Sequence, residues 1–154
     1  MQVADLVAAK WSTLTMEYEQ MFGDAVMHHG IEVCFRCKCR GAGYEMGHSR
    51  AHAHVKEKKI CLANVPRGFP SFFAAMHEIG HIVHPQGNYS SSYPRALAEH
   101  NATEWAKEKC RALGVRLRRK TIADYNAYIS DKVARGLRRG LQRVPSALRK
   151  YKAI

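Results

Sequence analysis

Two histidines four residues apart, with a glutamate directly after the first, constrain this chain more than any other feature: His77-Glu78-Ile79-Gly80-His81. Apolar residues flank the pentad (Phe72, Phe73, Met76, Val83), and Pro70 and Pro85 bracket it. The stretch from Pro70 or Ser71 to His84 is therefore predicted to be a helix that Pro85 ends. Residues four apart on a helix share a face, so both imidazoles reach one ion. Zinc takes nitrogen ligands at about 2.0–2.1 Å in tetrahedral geometry, and a catalytic site keeps one position for water. Glu78 follows the first ligand directly, where this motif carries the general base that works on that water. The expectation is one Zn²⁺ per chain, with His77 and His81 as ligands and Glu78 as the catalytic base.

A third protein ligand is needed. His84 returns to nearly the same face as His77, but seven residues of straight helix span roughly 10.5 Å, too far to share one ion. The next histidine is His100. A helix opened by Pro94 and closed at Leu113-Gly114 offers Glu99, Glu104 and Glu108 as well.

The remainder supplies the frame. Val7, Trp11, Leu14, Tyr18 and Met21 form a helical stripe, so a first helix is expected over residues 3–22, capped by Gly23. Strands are expected at Ile31 to Phe35 and at residues 59–63, with a loop from Arg36 to His54 between them. Residues 86–93 form a polar loop. Thr121 with Asp124 resembles a capping box, and Ile122, Tyr125, Ile129 and Val133 make the stripe of a last helix. The order is helix, strands, helices, in one α+β domain of 154 residues. Apolar residues make up 46% and charged residues 25%, no apolar run nears the roughly 18 residues of a membrane helix, and the N-terminus lacks a basic, apolar leader. Membrane protein, coiled coil, collagen and disordered chain are excluded. Five cysteines, an odd and sparse set, argue for reduced thiols in a cytoplasm.

The net charge of +12 is unevenly spread. From Val115 to Ile154 twelve basic residues face only Asp124 and Asp131, a net of +10, while residues 1–114 carry +2. The division is thus a near-neutral body, 1–114, and a basic helical C-terminal segment, 115–154, packed on it or extending from it. Leu137, Leu141, Val144, Leu148 and Tyr151 form a stripe able to dock, which leaves arginines outward. Arg118, Arg119, Arg138, Arg139 and Arg143 are candidate contacts to nucleic-acid phosphates.

The segment MHEIGHIVH followed by AEHNATEWAKE resembles the ImmA/IrrE-type zinc metallopeptidases, with their HExxH helix and a following E-x-x-A-x-x-[aromatic]-A helix. The resemblance covers roughly residues 60–110. It implies a minimal zincin-like fold, a short sheet packed on the active-site helix and further helices. It implies His77 and His81 as ligands, Glu78 as base and Glu99 as the third ligand, with Ala102, Trp105 and Ala106 at the small and aromatic positions. Asn101-Ala102-Thr103 departs from the family's usual residues there. Helix geometry agrees with Glu99: Ala102 and Ala106 share its face, whereas Glu104 sits roughly 140° away, beside Lys107. SprT-type proteases, which use a third histidine, are a lesser alternative through His100. ImmA/IrrE-type proteins occur in bacteria, phages and mobile elements, where some cleave transcriptional repressors. The implied function is hydrolysis of a peptide bond in a protein substrate, with a DNA-associated regulator as the candidate, in a bacterial or phage-infected cytoplasm. A nucleic-acid-binding or phage-structural protein on a zincin scaffold is the alternative. For the oxyanion, Tyr89, Tyr93 and His100 are candidates.

Two weaker constellations remain. Cys34 and Cys37 have zinc-knuckle spacing, and Cys39 and Cys61 can add ligands, but no second CxxC exists. Ordinary buried or loop cysteines are the expectation. His48, His52 and His54 lie near Arg50 without periodicity, and solvated histidines are expected there.

Overall fold

The computed structural model describes residues 17–36, 51–84 and 94–152, and in it the chain is α+β, helices with one three-stranded sheet. Two compact units divide between Glu78 and Ile79.

In the first unit, helix α1 occupies residues 17–29. The expected stop at Gly23 is corrected: the helix runs on through Val26 and ends at Gly30. Gly30 takes φ +61°, its N–H donates to the Met27 carbonyl (3.2 Å), and the Ile31 N–H reaches back to Val26 (3.0 Å). That is a Schellman cap, which needs a left-handed residue. Residues 3–16 of the expected helix lie outside the described residues. Strands β1 (Glu32–Phe35), β2 (His52–His54) and β3 (Lys59–Leu62) form a sheet in the order β1-β3-β2. β1 runs parallel to β3 and β2 antiparallel. β2 lies inside the stretch expected to be loop. Its three residues, His-Ala-His, carry no β-branched or aromatic strand former, and pairing with β3 rather than propensity makes it a strand. Ile60 and Leu62 are buried in the core of this unit, as are Phe72 and Phe73.

Helix α2 (Phe69–Val83) begins where the Gly68 carbonyl accepts the Phe72 N–H (2.9 Å). Ser71 accepts the Gly68 N–H through Oγ (3.3 Å), so the helix starts one residue before the proline. Tyr18 of α1 packs against Phe72 with ring centroids 5.0 Å apart, and Arg67 pairs with Glu19 at 2.9 Å.

The second unit contains the end of α2, helices α3 (Arg95–Ala112) and α4 (Arg119–Arg138), and a 3-10 turn at Ser146–Tyr151. Gly114 closes α3 at φ +71°, with Val115 N–H donating to Cys110 at 2.8 Å. α4 begins two residues before Thr121, and no side chain caps it; Lys120 pairs with Asp124 instead, at 3.3 Å. α3 packs on α4, and the 3-10 turn packs on both. Ala96, Ile129, Val133, Val144, Leu148 and Tyr151 form one core cluster, with Leu141 against it. The C-terminal stripe therefore docks, except Leu137, which is exposed. Among the described residues no helix is long and apolar enough to cross a membrane.

Candidate metal centre

The unit boundary falls inside α2, so the continuous helix itself carries His77 one turn before His81. His77 is buried and the His81 side chain is 12% exposed. Within the second unit, His81 Nε2 lies 3.2 Å from Glu99 Oε2 on α3, and the Glu99 side chain is 6% exposed. One donor atom from each of His77, His81 and Glu99 lies within 4.8 Å of the others, a group able to hold a metal ion. Three close, buried donors suit a cation, because an ion bridging them offsets the desolvation of the carboxylate.

The close approach of Glu99 to His81 follows from two small residues. A Cβ on Gly80 would stand 2.8 Å from the Ala102 carbonyl oxygen and 3.0 Å from its Cα. The glycine at the fourth position of the pentad thus seats the backbone of α3 against α2. Ala98, Ala102 and Ala106 are fully buried, which keeps the Glu99 face of α3 flat.

Further groups fix the carboxylate. Tyr128 of α4 donates its hydroxyl to Glu99 Oε1 at 3.3 Å, leaving Oε2 toward His81. Arg95 Nε stands 3.6 Å from Oε1, one helical turn earlier. Thr103 donates its hydroxyl to the Glu99 carbonyl at 2.8 Å. Lys132 lies over the Tyr128 ring at 4.8 Å, and burial together with Arg95 holds its ammonium below the ordinary lysine range. No sequence pattern marks Tyr128. It falls between two stripe positions of α4, and only the packing of α4 on α3 directs it to Glu99.

The competing third ligands sit elsewhere. His100 is buried, and its Nδ1 is 3.0 Å from the Tyr151 hydroxyl. Burial lowers its pKa; Glu104 opposes this, while Lys150 and Lys107 add to it. Glu104 accepts from Lys107 at 2.8 Å, as the spacing predicts. The pair is not fully solvated, since Lys107 is buried and Glu104 half-buried. Burial raises the Glu104 pKa, but the Lys107 hydrogen bond and the charges of Lys107, Lys150 and His100 outweigh it and hold the carboxyl below its usual range. Glu108 is exposed, and His84 is not in the metal group. Tyr89 and Tyr93, with Pro85, lie outside the described residues, as do His48, Cys37 and Cys39. Arg118, Arg119, Arg138, Arg139 and Arg143 are all exposed.

No protein-family model matches the chain, and neither a curated protein nor a solved structure matches it.

Proposed function

We propose that the chain is a zinc metallopeptidase of minimal zincin type, similar over residues 60–110 to the ImmA/IrrE-type enzymes, that cleaves a peptide bond in a protein substrate. The observation that carries this reading is the convergence of His77, His81 and Glu99 donors within 4.8 Å, with Glu78 adjoining. Two imidazoles and one carboxylate are the donor set of open, catalytic zinc sites, which retain a position for water. When bound, zinc supplies Lewis-acid polarisation of the scissile carbonyl and acidifies water. Glu78 accepts the proton of the attacking water and delivers it to the leaving amine. Tyr128 orients Glu99, as outer hydrogen bonds orient metal ligands generally. A purely structural zinc site has no use for Glu78, which favours the enzyme over a scaffold. An unbiased comparison of proteome fragments after exposure to wild type and to Glu78→Gln tests the reading. Fragments specific to wild type are expected; identical fragment sets would refute peptidase activity.

A second, compatible role rests on the exposed arginines. Arg138, Arg139 and Arg143 flank the docked stripe, on the side left to solvent. We propose that they contact nucleic-acid phosphates, which would bring the peptidase to a DNA-bound regulator. Removing the segment is not a clean test, because Val144, Leu148 and Tyr151 belong to the core. Replacing the three arginines with serine should weaken DNA binding and flatten its salt dependence. Unchanged binding would remove nucleic acid from the partners.

A further inference from the structure

The sheet of the first unit brings together four side chains that the helix centre does not use. In the β1–β3 pairing Cys34 stands opposite Cys61, and in the β2–β3 pairing His52 stands opposite the same Cys61. Directly opposed residues on neighbouring strands project to one face. His54, two residues beyond His52, returns to that face because side chains alternate along a strand. Cys34, Cys61, His52 and His54 are therefore neighbours on one face, and Ile60 and Leu62 project to the other.

The atoms follow the register. One donor atom from each of His52, His54 and Cys61 lies within 4.8 Å of the others; Cys34 stands outside that group and adjoins it through its sulfur, 2.6 Å from that of Cys61. The two imidazole rings meet edge to face, with centroids 5.0 Å apart. Cys61 is buried, and Cys34, His52 and His54 are half-buried. Nε2 of His54 is closed off from solvent and has no hydrogen-bond partner among the described residues. In the next row of the same face Lys59 pairs with Glu32 at 2.9 Å, so the lysine beside the cluster is neutralised by its own partner.

We propose that Cys34, Cys61, His52 and His54 form a second metal site, for a zinc-class divalent ion. Once Cys34 joins the three close donors, two thiolates and two imidazoles would complete a tetrahedral shell with no position left for water, the pattern of a structural site. The two sulfurs would have to move apart to roughly 3.8 Å, as ligands about 2.3 Å from one ion require. The two thiolates balance the charge of the divalent ion, and the thiols release their protons on binding. Such an ion would tie together all three strands, each only three or four residues long. The inference stands independently of the peptidase reading, since no ligand is shared.

Cobalt substitution of the full-length, reduced protein tests it. About two cobalt ions per chain and a sulfur-to-cobalt charge-transfer band are expected, since two of the four sheet ligands are thiolates. Cys34→Ser with Cys61→Ser should remove the band and one equivalent. Glu99→Gln should remove the other equivalent and leave the band. Absence of the band in reduced wild type, or its survival in the cysteine variant, would overturn the proposal. If that variant does not fold, wild type alone decides by alkylation. Zinc should protect Cys34 and Cys61 from a thiol reagent, and chelation should expose them. Equal labelling in both conditions, or isolation of a Cys34–Cys61 disulfide with no metal uptake after reduction, would overturn the site.

Discussion

The helix centre and the sheet cluster each use two histidines, but the periodicity that aligns them differs. On α2 the histidines are four apart, one helical turn; on β2 they are two apart, one strand repeat. The third donor arrives differently as well. Glu99 reaches His81 because Gly80 and Ala102 let two helix backbones approach, whereas Cys61 reaches His52 through strand pairing. A carboxylate leaves the helix group suited to water chemistry, while two thiols make the sheet group suited to closure. Under the two proposals, the difference separates a site that reacts from one that holds.

The largest effect expected in the helix centre comes from its carboxylate. Glu99→Gln should abolish metal binding there and any hydrolysis, while Glu104→Gln should leave both intact. Titration with a metal under competition by a chelator measures this. The reverse ranking would mean that α3 presents another face to α2.

Next in size is the packing between the helices. Gly80→Ala places a methyl group within 3.0 Å of Ala102 backbone atoms. It should destabilise the fold by about 1–3 kcal/mol, as overpacking generally does. That exceeds the roughly 0.5–1 kcal/mol that alanine gains over glycine within a helix. Denaturant unfolding checks it, and metal affinity at the helix centre should fall in parallel. A stabilised Gly80→Ala protein would show that the close approach is not required.

The smallest expected effect is electrostatic. His100 is held below the ordinary histidine pKa by burial, with Glu104, Lys107, Lys150 and Tyr151 around it. Its unfolded form binds a proton at higher pH than its folded form, so its contribution to stability is fully present above about pH 6.5. That contribution is lost as the pH falls from there through the lowered folded value. His100→Gln should flatten the stability profile of metal-free protein over this range. An unchanged slope would assign the acid sensitivity to other groups.

These two regions also differ in how much of them the sequence reveals. The pentad, its helix and the rank of glutamates in α3 are contiguous patterns, legible without any tertiary knowledge. The sheet cluster joins residues 34, 52, 54 and 61, and only strand register brings them together. The three residues of β2 gave no periodic signal, so the histidines there read as loop. Boundaries were lost where a local cue was overridden: Gly23 suggested a stop, but α1 continues to Gly30, and Thr121 suggested a cap that α4 does not use. Tyr128 was invisible because its role depends on the angle at which α4 meets α3.

The central claim is that the helix group holds a metal for hydrolysis rather than for architecture. Elemental analysis and proteolysis assays on wild type, His81→Ala and Glu78→Gln, all purified without chelator, test it most directly. His81→Ala should lose about one metal ion per chain and all cleavage, since a ligand of the centre is gone. Glu78→Gln should keep the wild-type metal content and lose cleavage alone. A wild-type protein whose metal content is unaffected by His81→Ala, or a Glu78→Gln protein that still cleaves at the wild-type rate, would contradict the account.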